Sequence, residues 1–440
     1  MSTEQLALLM IGCLVAMVMS GVHFAFSLMF LAVVFGFLWR GTAVFALFYH
    51  PVFVLMQNEI LIAAPLFIFM GCILEKSGAA ERLYGIMYQL FGPLRGGLAL
   101  TTVLISTLFA ATTGVIAASV TVMGLVALPA MIKRGYDKGL ATGSVAAGGT
   151  LGILIPPSVM LVVYGPMANL SVARLFAGAY FPGLLLSALY LGYIAIRCWR
   201  QPAFGPPIST EERVFAKGKL LSLSTIYMLP ILFLILVVMG SILGGIATPT
   251  EASAVGAFGA TLIAISYRNF NLQTLKQSAY ETLKVTSMVF FVLMGAGMFT
   301  SVFIGLGGSK LVQALLLGLP FGKWFILAVM MFAIFVMGMF LDWIGILYLI
   351  VPTFMPVAAL LGFDSLWFAM LVVVNLQMSF ITPPFAYTIF FVKGISPPEV
   401  ALTDIYRGIV PFVILQGVGL TVCILFPQII LWLPRVTLGE

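Results

Sequence analysis

The sequence predicts an all-α polytopic membrane protein made of two inverted repeats, each carrying a re-entrant helical hairpin and a broken helix. Three observations lead there. The 440-residue chain is 62% hydrophobic and only 8% charged, with a mean hydropathy of +1.17, a balance foreign to water-soluble globules. Shifting it by 227 residues lays Pro93 on Pro320, Pro129 on Pro356, Pro156 on Pro383 and Pro157 on Pro384 without a gap. Chance aligns about one proline pair or fewer at a given shift. Two apolar runs long enough to span a bilayer are each interrupted by a proline pair, in GGTLGILIPPS at 148–158 and NLQMSFITPP at 375–384.

Apolar segments of helical length follow one another from Gln5 to Leu433, with charges mainly at the joints, which is a series of spans rather than the alternating pattern of barrel strands. The opening MSTEQ has no basic n-region, so the first apolar run reads as a permanent span. Cys13, Cys72, Cys198 and Cys423 show no metal-like spacing. The net charge of +7 reflects loop lysines and arginines without interleaved stacking aromatics, which argues for topology and against nucleic acid as a partner.

The first repeat, 1–200, reads as helices within 5–75 (spans near 5–20, 22–39 and 55–75), a short surface helix, a hairpin at 97–132, a broken helix at 138–165 and a span at 174–197. The hairpin segments, 97–113 and 115–132, look too brief for two comfortable crossings and are interrupted by Thr112-Thr113-Gly114, hence the re-entrant reading. A polar, proline-bearing stretch at 201–218 forms a cytoplasmic linker. The second repeat, 219–440, holds an interfacial helix at 269–284, a hairpin at 323–361 and a broken helix at 366–392. Five crossings per unit is odd, so the second unit sits upside down. With the N-terminus outside, 16 of the Lys and Arg residues face the cytoplasm and 5 face out, as the positive-inside rule asks.

The chemistry concentrates at the breaks. Pro156 and Pro157 remove two amide donors, so carbonyls near Leu151 to Leu154 lose their partners. Broken backbone at bilayer depth survives only where protein buries it or a polar cavity receives it. Such carbonyls suit a cation, and a kink packed against a neighbouring helix is the plainer alternative. Asp342, at the tip of the second hairpin in GMFLDW, is a costly carboxylate at that depth, fit to be a cation ligand or a helix cap. Thr112, Thr113 and Gly114 occupy the matching tip, where hydroxyls and carbonyls could coordinate Na⁺ together with carbonyls near Gly149, Thr150 and Gly152, or could merely cap the turn. Ser158 either adds a hydroxyl to that set or satisfies a freed carbonyl. Thr248-Pro249-Thr250-Glu251 reads as a capping box, not a catalytic site. Glu59 reads as interfacial, and His23 and His50 lack carboxylate company. There is no GxxxxGK[ST], HExxH or GxSxG, so the reading is not an enzyme, needs no cofactor beyond Na⁺ as coupling ion, and excludes ATP hydrolysis by a P-loop.

The phrases ATTGVIAASVTVMGLVALP, KRGYDKGLATGSVAAGGTLGILIPPS, TPTEASAVGAFGA, GMFLDW and NLQMSFITPPFAYTIFFVKGI, in this order, closely resemble the large membrane subunit of tripartite ATP-independent periplasmic (TRAP) transporters. The resemblance implies a bacterial inner-membrane symporter that imports organic acids with Na⁺ by an elevator movement of the ion-transporter type. It also implies a small four-helix membrane subunit and a periplasmic substrate-binding protein as partners. Family sodium sites map onto Thr113, Gly114, Gly149, Thr150, Gly152, Pro156 and Pro157 in one half, and onto Gly338, Asp342, Asn375, Thr382, Pro383 and Pro384 in the other. Many members have a serine-rich first tip where this chain has Thr112-Thr113-Gly114-Val115-Ile116. That tip resembles the branch associated with 2-oxo acids, lactate or mannitol and chloroaromatic cargo. The expected cargo is a small carboxylate: a C4-dicarboxylate or 2-oxo acid, with mannitol or a chloroaromatic acid as the alternative cargo and an intramembrane enzyme as the alternative function.

Overall fold

Prolines, helix caps and left-handed glycines set the bounds of a wholly helical chain: every regular element among the described residues is a helix. The computed structural model describes residues 2–439 except Val115, 209–216 and 384–386, and all their side chains but those at 113, 217, 218, 221 and 387. Pro384, expected at the second break, thus lies outside the described residues.

The first half runs α1 (Thr3–Met19), α2 (Phe24–Arg40), a 3-10 turn at Gly41–Ala43, α3 (Val44–Gln57), a 3-10 turn at Glu59–Ile62 and α4 (Ala63–Lys76). It continues with α5 (Ala79–Phe91), α6 (Gly97–Thr113), α7 (Ile116–Lys133), α8 (Lys138–Thr150), α9 (Val159–Ala168) and α10 (Val172–Arg200). The second half comprises α11 (Lys217–Leu243), α12 (Pro249–Ser266), α13 (Leu272–Gly305), α14 (Gly308–Leu317) and α15 (Lys323–Gly338). After these come α16 (Trp343–Leu360), α17 (Ser365–Ile381), α18 (Tyr387–Ile395), α19 (Leu402–Leu425) and α20 (Gln428–Leu438).

Adding 227 to 116 and 133, the bounds of α7, returns 343 and 360, the bounds of α16. The repeated Gly-aromatic-Asp motif has a structural cause at the same offset. Gly135 (φ 72°) and Gly362 (φ 78°) take the left-handed conformation after the preceding helix, which a residue without Cβ adopts freely. Two residues on, Asp137 accepts a hydrogen bond from the Leu140 amide at 2.8 Å and Asp364 one from Trp367 at 2.8 Å, capping α8 and α17. At α12 the capping box closes as the sequence indicates: the Thr248 amide donates to Glu251 Oε2 (2.8 Å) and the Glu251 amide to Thr248 Oγ1 (3.2 Å).

Two expectations change. Residues 269–284 do not form a separate interfacial helix: they lead into one continuous 34-residue helix, α13. No proline or glycine stands between Leu272 and Met294, so the amphipathic half propagates into the apolar half. At 1.5 Å per residue α13 is about 51 Å long, against roughly 30 Å of hydrocarbon, so its polar end extends beyond the membrane core. The third span does not begin at 55 either. Residues 44–76 divide into α3 and α4 at Asn58, which is extended (φ −80°, ψ 100°), whereas the same register in the second half, 271–303, is the single α13. The first half carries Pro51, Asn58 and Pro65 where the second has Ser278, Val285 and Val292, and proline interrupts the helical ladder.

Among the described residues seven helical stretches are long and apolar enough to cross a bilayer, with α2 through α3 (Phe24–Gln57) counted as one, or eight if α4 and α5, bent by 55°, count as one span. The 18-residue α7 and α16 are among them, so brevity alone does not mark those segments as re-entrant. The expected linker is anchored at its start: Gly96 and Ile208 amides donate to Gly205 and Gly92 carbonyls at 2.8 and 2.9 Å. At the centre lie α8, buried from Leu140 to Thr150, and α17, buried from Leu366 to Ile381 except Met378. α8 packs on α6, α7 and α19, and α17 on α15, α16 and α19; α2, α4, α12 and α13 pack together as a second group.

Candidate cation site at the two helix breaks

α8 ends at Thr150, runs on as a 3-10 turn through Leu151–Ile153, and yields to Pro156-Pro157 before α9 starts at Val159. Pro156 and Pro157 stand where amides would have served the carbonyls of Gly152 and Ile153. Ser158 takes one of them, its hydroxyl donating to the Ile153 carbonyl at 2.6 Å, which decides between the two roles open to it. The Leu151 carbonyl accepts from Leu154 (3.0 Å) and Ile155 (2.9 Å). That leaves the Gly152 carbonyl without a donor among the described residues.

The first hairpin tip meets this break directly. Gly114 closes α6 in the left-handed conformation (φ 59°), and a Cβ there would stand 3.0 Å from Val159 Cγ2 and 3.2 Å from the Val159 amide nitrogen. Gly149 is equally confined, since a Cβ on it would fall 2.2 Å from Val120 Cγ2 of α7. Thr112 and Thr150 spend their hydroxyl protons on the Phe109 (2.8 Å) and Ala147 (2.9 Å) carbonyls of their own helices. Hydroxyls so engaged keep lone pairs for a cation and have no proton left for an anion.

In the second half, Asn375 on α17 is fully buried, and its amide nitrogen donates to the Met331 carbonyl of α15 at 2.6 Å. That bond fixes the amide, and its oxygen Oδ1 is left buried without a partner. Gly338 lets α15 approach α17, because a Cβ there would lie 2.5 Å from Ser379 Oγ. Asp342 occupies the N-cap position of α16 but closes no side-chain capping bond. The Trp343 and Ile344 amides at the start of α16 face its carboxyl as donors, while Oδ2 is buried and unpartnered. Capping therefore accounts for only part of this carboxylate. Thr382 donates to the Met378 carbonyl at 2.6 Å, and Pro383 is exposed.

Both hairpin tips and residues flanking the two breaks line one cavity of about 50 Å³. Gly114 and Ile116 bring the first tip, Ile153 and Val159 flank the first break, Asp342 to Ile344 bring the second tip, and Phe380 precedes the second break. Among the described residues that line it, Asp342 alone is charged. On its other side, with Gly338, Phe380 and Phe390, Asp342 borders a second cavity of about 120 Å³. Thr112, Gly149, Thr150, Gly152, Pro156, Pro157, Ser158, Asn375, Thr382 and Pro383 do not line the shared cavity. They lie in the packed layer behind it or beyond it.

The orphaned oxygens of Asp342 and Asn375, the Gly152 carbonyl and the threonine lone pairs are hard ligands, and oxygen sets of this kind suit Na⁺ better than a transition metal. Sequence reasoning missed the third wall of the cavity, Val285, Met288 and Val289 of α13. Their i, i+3, i+4 spacing marks one helical stripe, and the expected helix end at 284 concealed it.

A family model described as the tripartite ATP-independent periplasmic transporter, DctM component, matches residues 11–429. The chain is 31% identical over 382 residues to the C4-dicarboxylate TRAP transporter large permease protein DctM of Pseudomonas aeruginosa, covering 86% of this chain and 87% of that one. It is 30% identical over 463 residues to the protein of that name from Vibrio cholerae, covering 100% and 99%. To the sialic acid TRAP transporter large permease protein SiaM of Vibrio cholerae it is 27% identical over 424 residues, 96% of each. Among solved structures, the YdaH transporter of Alcanivorax borkumensis has a TM-score of 0.62 at 14% identity, covering 91% of this chain and 89% of that one; the likeness concerns the fold alone.

Proposed function

The chain belongs to the DctM component family of TRAP transporters, and from that premise we propose that it imports a small organic carboxylate coupled to inward Na⁺. As a large permease subunit it is a multi-pass membrane protein and not an enzyme, and its family works with a small membrane subunit and a periplasmic binding protein. The setting proposed for it is the bacterial inner membrane. Its relatives are named for C4-dicarboxylates, isethionate and sialic acid, so the cargo follows from no single one of them.

One observation carries the reading: the two hairpin tips and residues flanking the two helix breaks, far apart in sequence, line one cavity, and Asp342 is the one charge among the described residues of that lining. A cation held there neutralises the carboxylate and joins the two halves of the site. Emptying it restores a buried, unpaired charge, which opposes movement of the ion-free, cargo-loaded protein. Movement of the hairpin-bearing group, α6–α9 with α15–α18, against the α2–α4 and α11–α13 group would then carry ion and cargo together, as an elevator does. In proteoliposomes holding the chain with its small subunit and binding protein, uptake is expected to require an inward Na⁺ gradient. Full uptake in sodium-free choline buffer at constant pH sinks the coupling.

A further inference from the structure

On the side of the ion cavity away from Lys276 and Lys284 of α13 lies a larger pocket of about 290 Å³. The two are stacked along the same three helices. Val159 of α9, Val289 of α13 and Ile344 of α16 line the ion cavity; Val163, Leu293 and Tyr348, four residues further along each helix, line the pocket. Four residues rise about 6 Å, or one turn. The remaining wall comes from α3 and the turn after it.

We propose that this pocket is the cargo's seat on the outer side of the ion site, and that it selects a monocarboxylate with an apolar body over a dicarboxylate. The proposal rests on the sodium-coupled reading above and adds to it a place and a chemical class. Of the fourteen lining residues ten are apolar, four are polar and uncharged or histidine (His50, Asn58, Thr300, Tyr348), and none is Lys, Arg, Asp or Glu. A second carboxylate would enter without a fixed counter-charge, which a mainly apolar lining tolerates badly. The charged residue nearest in sequence to the lining, Glu59, is itself an acid.

One carboxylate, by contrast, is provided for. Asn58 Oδ1 accepts from the Ile60 amide at 3.1 Å, which turns the NH₂ end of that side chain free to donate. Thr300 gives its proton to the Tyr348 carbonyl at 3.3 Å, pinning α13 to α16 beside the pocket. The Tyr348 ring lies in the gap that Gly297 leaves next to Pro51: a Cβ on Gly297 would stand 3.2 Å from Pro51 Cβ and 3.9 Å from the Tyr348 hydroxyl. The Tyr348 hydroxyl and the Asn58 amide are thus the donors for the anion. The positive charge comes from the ion one turn away, within the screening length of roughly 8–10 Å at physiological salt. Cargo and sodium therefore strengthen each other's binding.

The test is calorimetric titration of the purified complex of this chain with its small subunit, using 4-methyl-2-oxopentanoate and succinate as probes, in sodium and in choline buffer. The branched monocarboxylate is expected to bind only in sodium and at least about tenfold more tightly than succinate. Tyr348→Phe, which removes one hydrogen bond to a charged group, weakens it roughly tenfold. Val54→Arg adds a cation at a pocket residue that is 49% exposed and so accommodates the longer side chain; it narrows or inverts the preference. Succinate binding as well as the monocarboxylate, no binding of either acid, or indifference of both to Tyr348→Phe and Val54→Arg overturns the pocket. Binding that responds to those variants but not to sodium upholds the pocket and overturns the coupling instead. Sodium-driven uptake persisting after the pocket has failed leaves the proposed function standing.

Discussion

Replacing Asp342 by Asn changes one atom type and almost no volume at the one charge among the described residues that line the cavity between the hairpin tips. A carboxylate and a monovalent cation about 4 Å apart attract by about 4 kcal/mol at an effective dielectric constant near 20. Subtracting the cost of stripping water from both leaves about 2–3 kcal/mol, in the range measured for single hydrogen bonds to charged groups. At 1.4 kcal/mol per factor of ten, the sodium concentration for half-maximal uptake should rise roughly 30- to 150-fold. Because Oδ2 is buried without a partner, neutralising it removes a burden from the ion-free protein, so Asp342→Asn should unfold no earlier than wild type in choline. Wild type should instead gain stability on adding sodium, by about 2.7 kcal/mol at a hundred times the dissociation constant, and the variant should gain little. The assay pairs sodium-dependent uptake in proteoliposomes with thermal unfolding in both salts. An unchanged half-saturating sodium concentration in a stably assembled Asp342→Asn complex would refute the assignment.

Other substitutions separate site from scaffold. Ser158→Ala strips the Ile153 carbonyl of its donor in a buried turn and should cost about 1–3 kcal/mol in thermal unfolding, with sodium affinity changed less than in Asp342→Asn. Gly114→Ala forces a side chain into the left-handed region at about 1–2 kcal/mol and against Val159, so uptake should fall sharply at equal membrane abundance. Asn375→Leu removes the side-chain donor to the Met331 carbonyl and deletes the buried Oδ1; a loss of sodium-induced stabilisation beyond its loss of stability would mark it as part of the ion site. Glu281→Gln removes the ion pair with Lys76, 3.0 Å long and partly exposed, and should cost no more than about 1 kcal/mol, with uptake preserved.

Much of this architecture was legible because backbone chemistry leaves a mark in residue identity. A proline pair announces missing donors whatever surrounds it, and Gly-aromatic-Asp at 135–137 and 362–364 turned out to be a helix stop and a helix cap at the same offset. Asp342 stood out because carboxylates are expensive at bilayer depth. What escaped was set by packing. The change from polar to apolar residues near 284 reads as the end of a surface helix, yet nothing there breaks the ladder, so α13 continues and puts Val285, Met288 and Val289 into the cavity wall. Helix α3 was hidden because Pro51 and Asn58 divide an apolar run that looks continuous. The outer pocket draws on α3, α9, α13 and α16, and its members carry no signal until the fold assembles them.

The most direct measurement counts ions: ²²Na⁺ and radiolabelled cargo followed together into proteoliposomes containing the complete three-part transporter. The account predicts that each cargo molecule is accompanied by a fixed number of sodium ions, at least one, and that Asp342→Asn moves the joint flux to sodium concentrations roughly 30- to 150-fold higher. Cargo accumulating without ²²Na⁺ entry, or joint entry indifferent to Asp342, contradicts it.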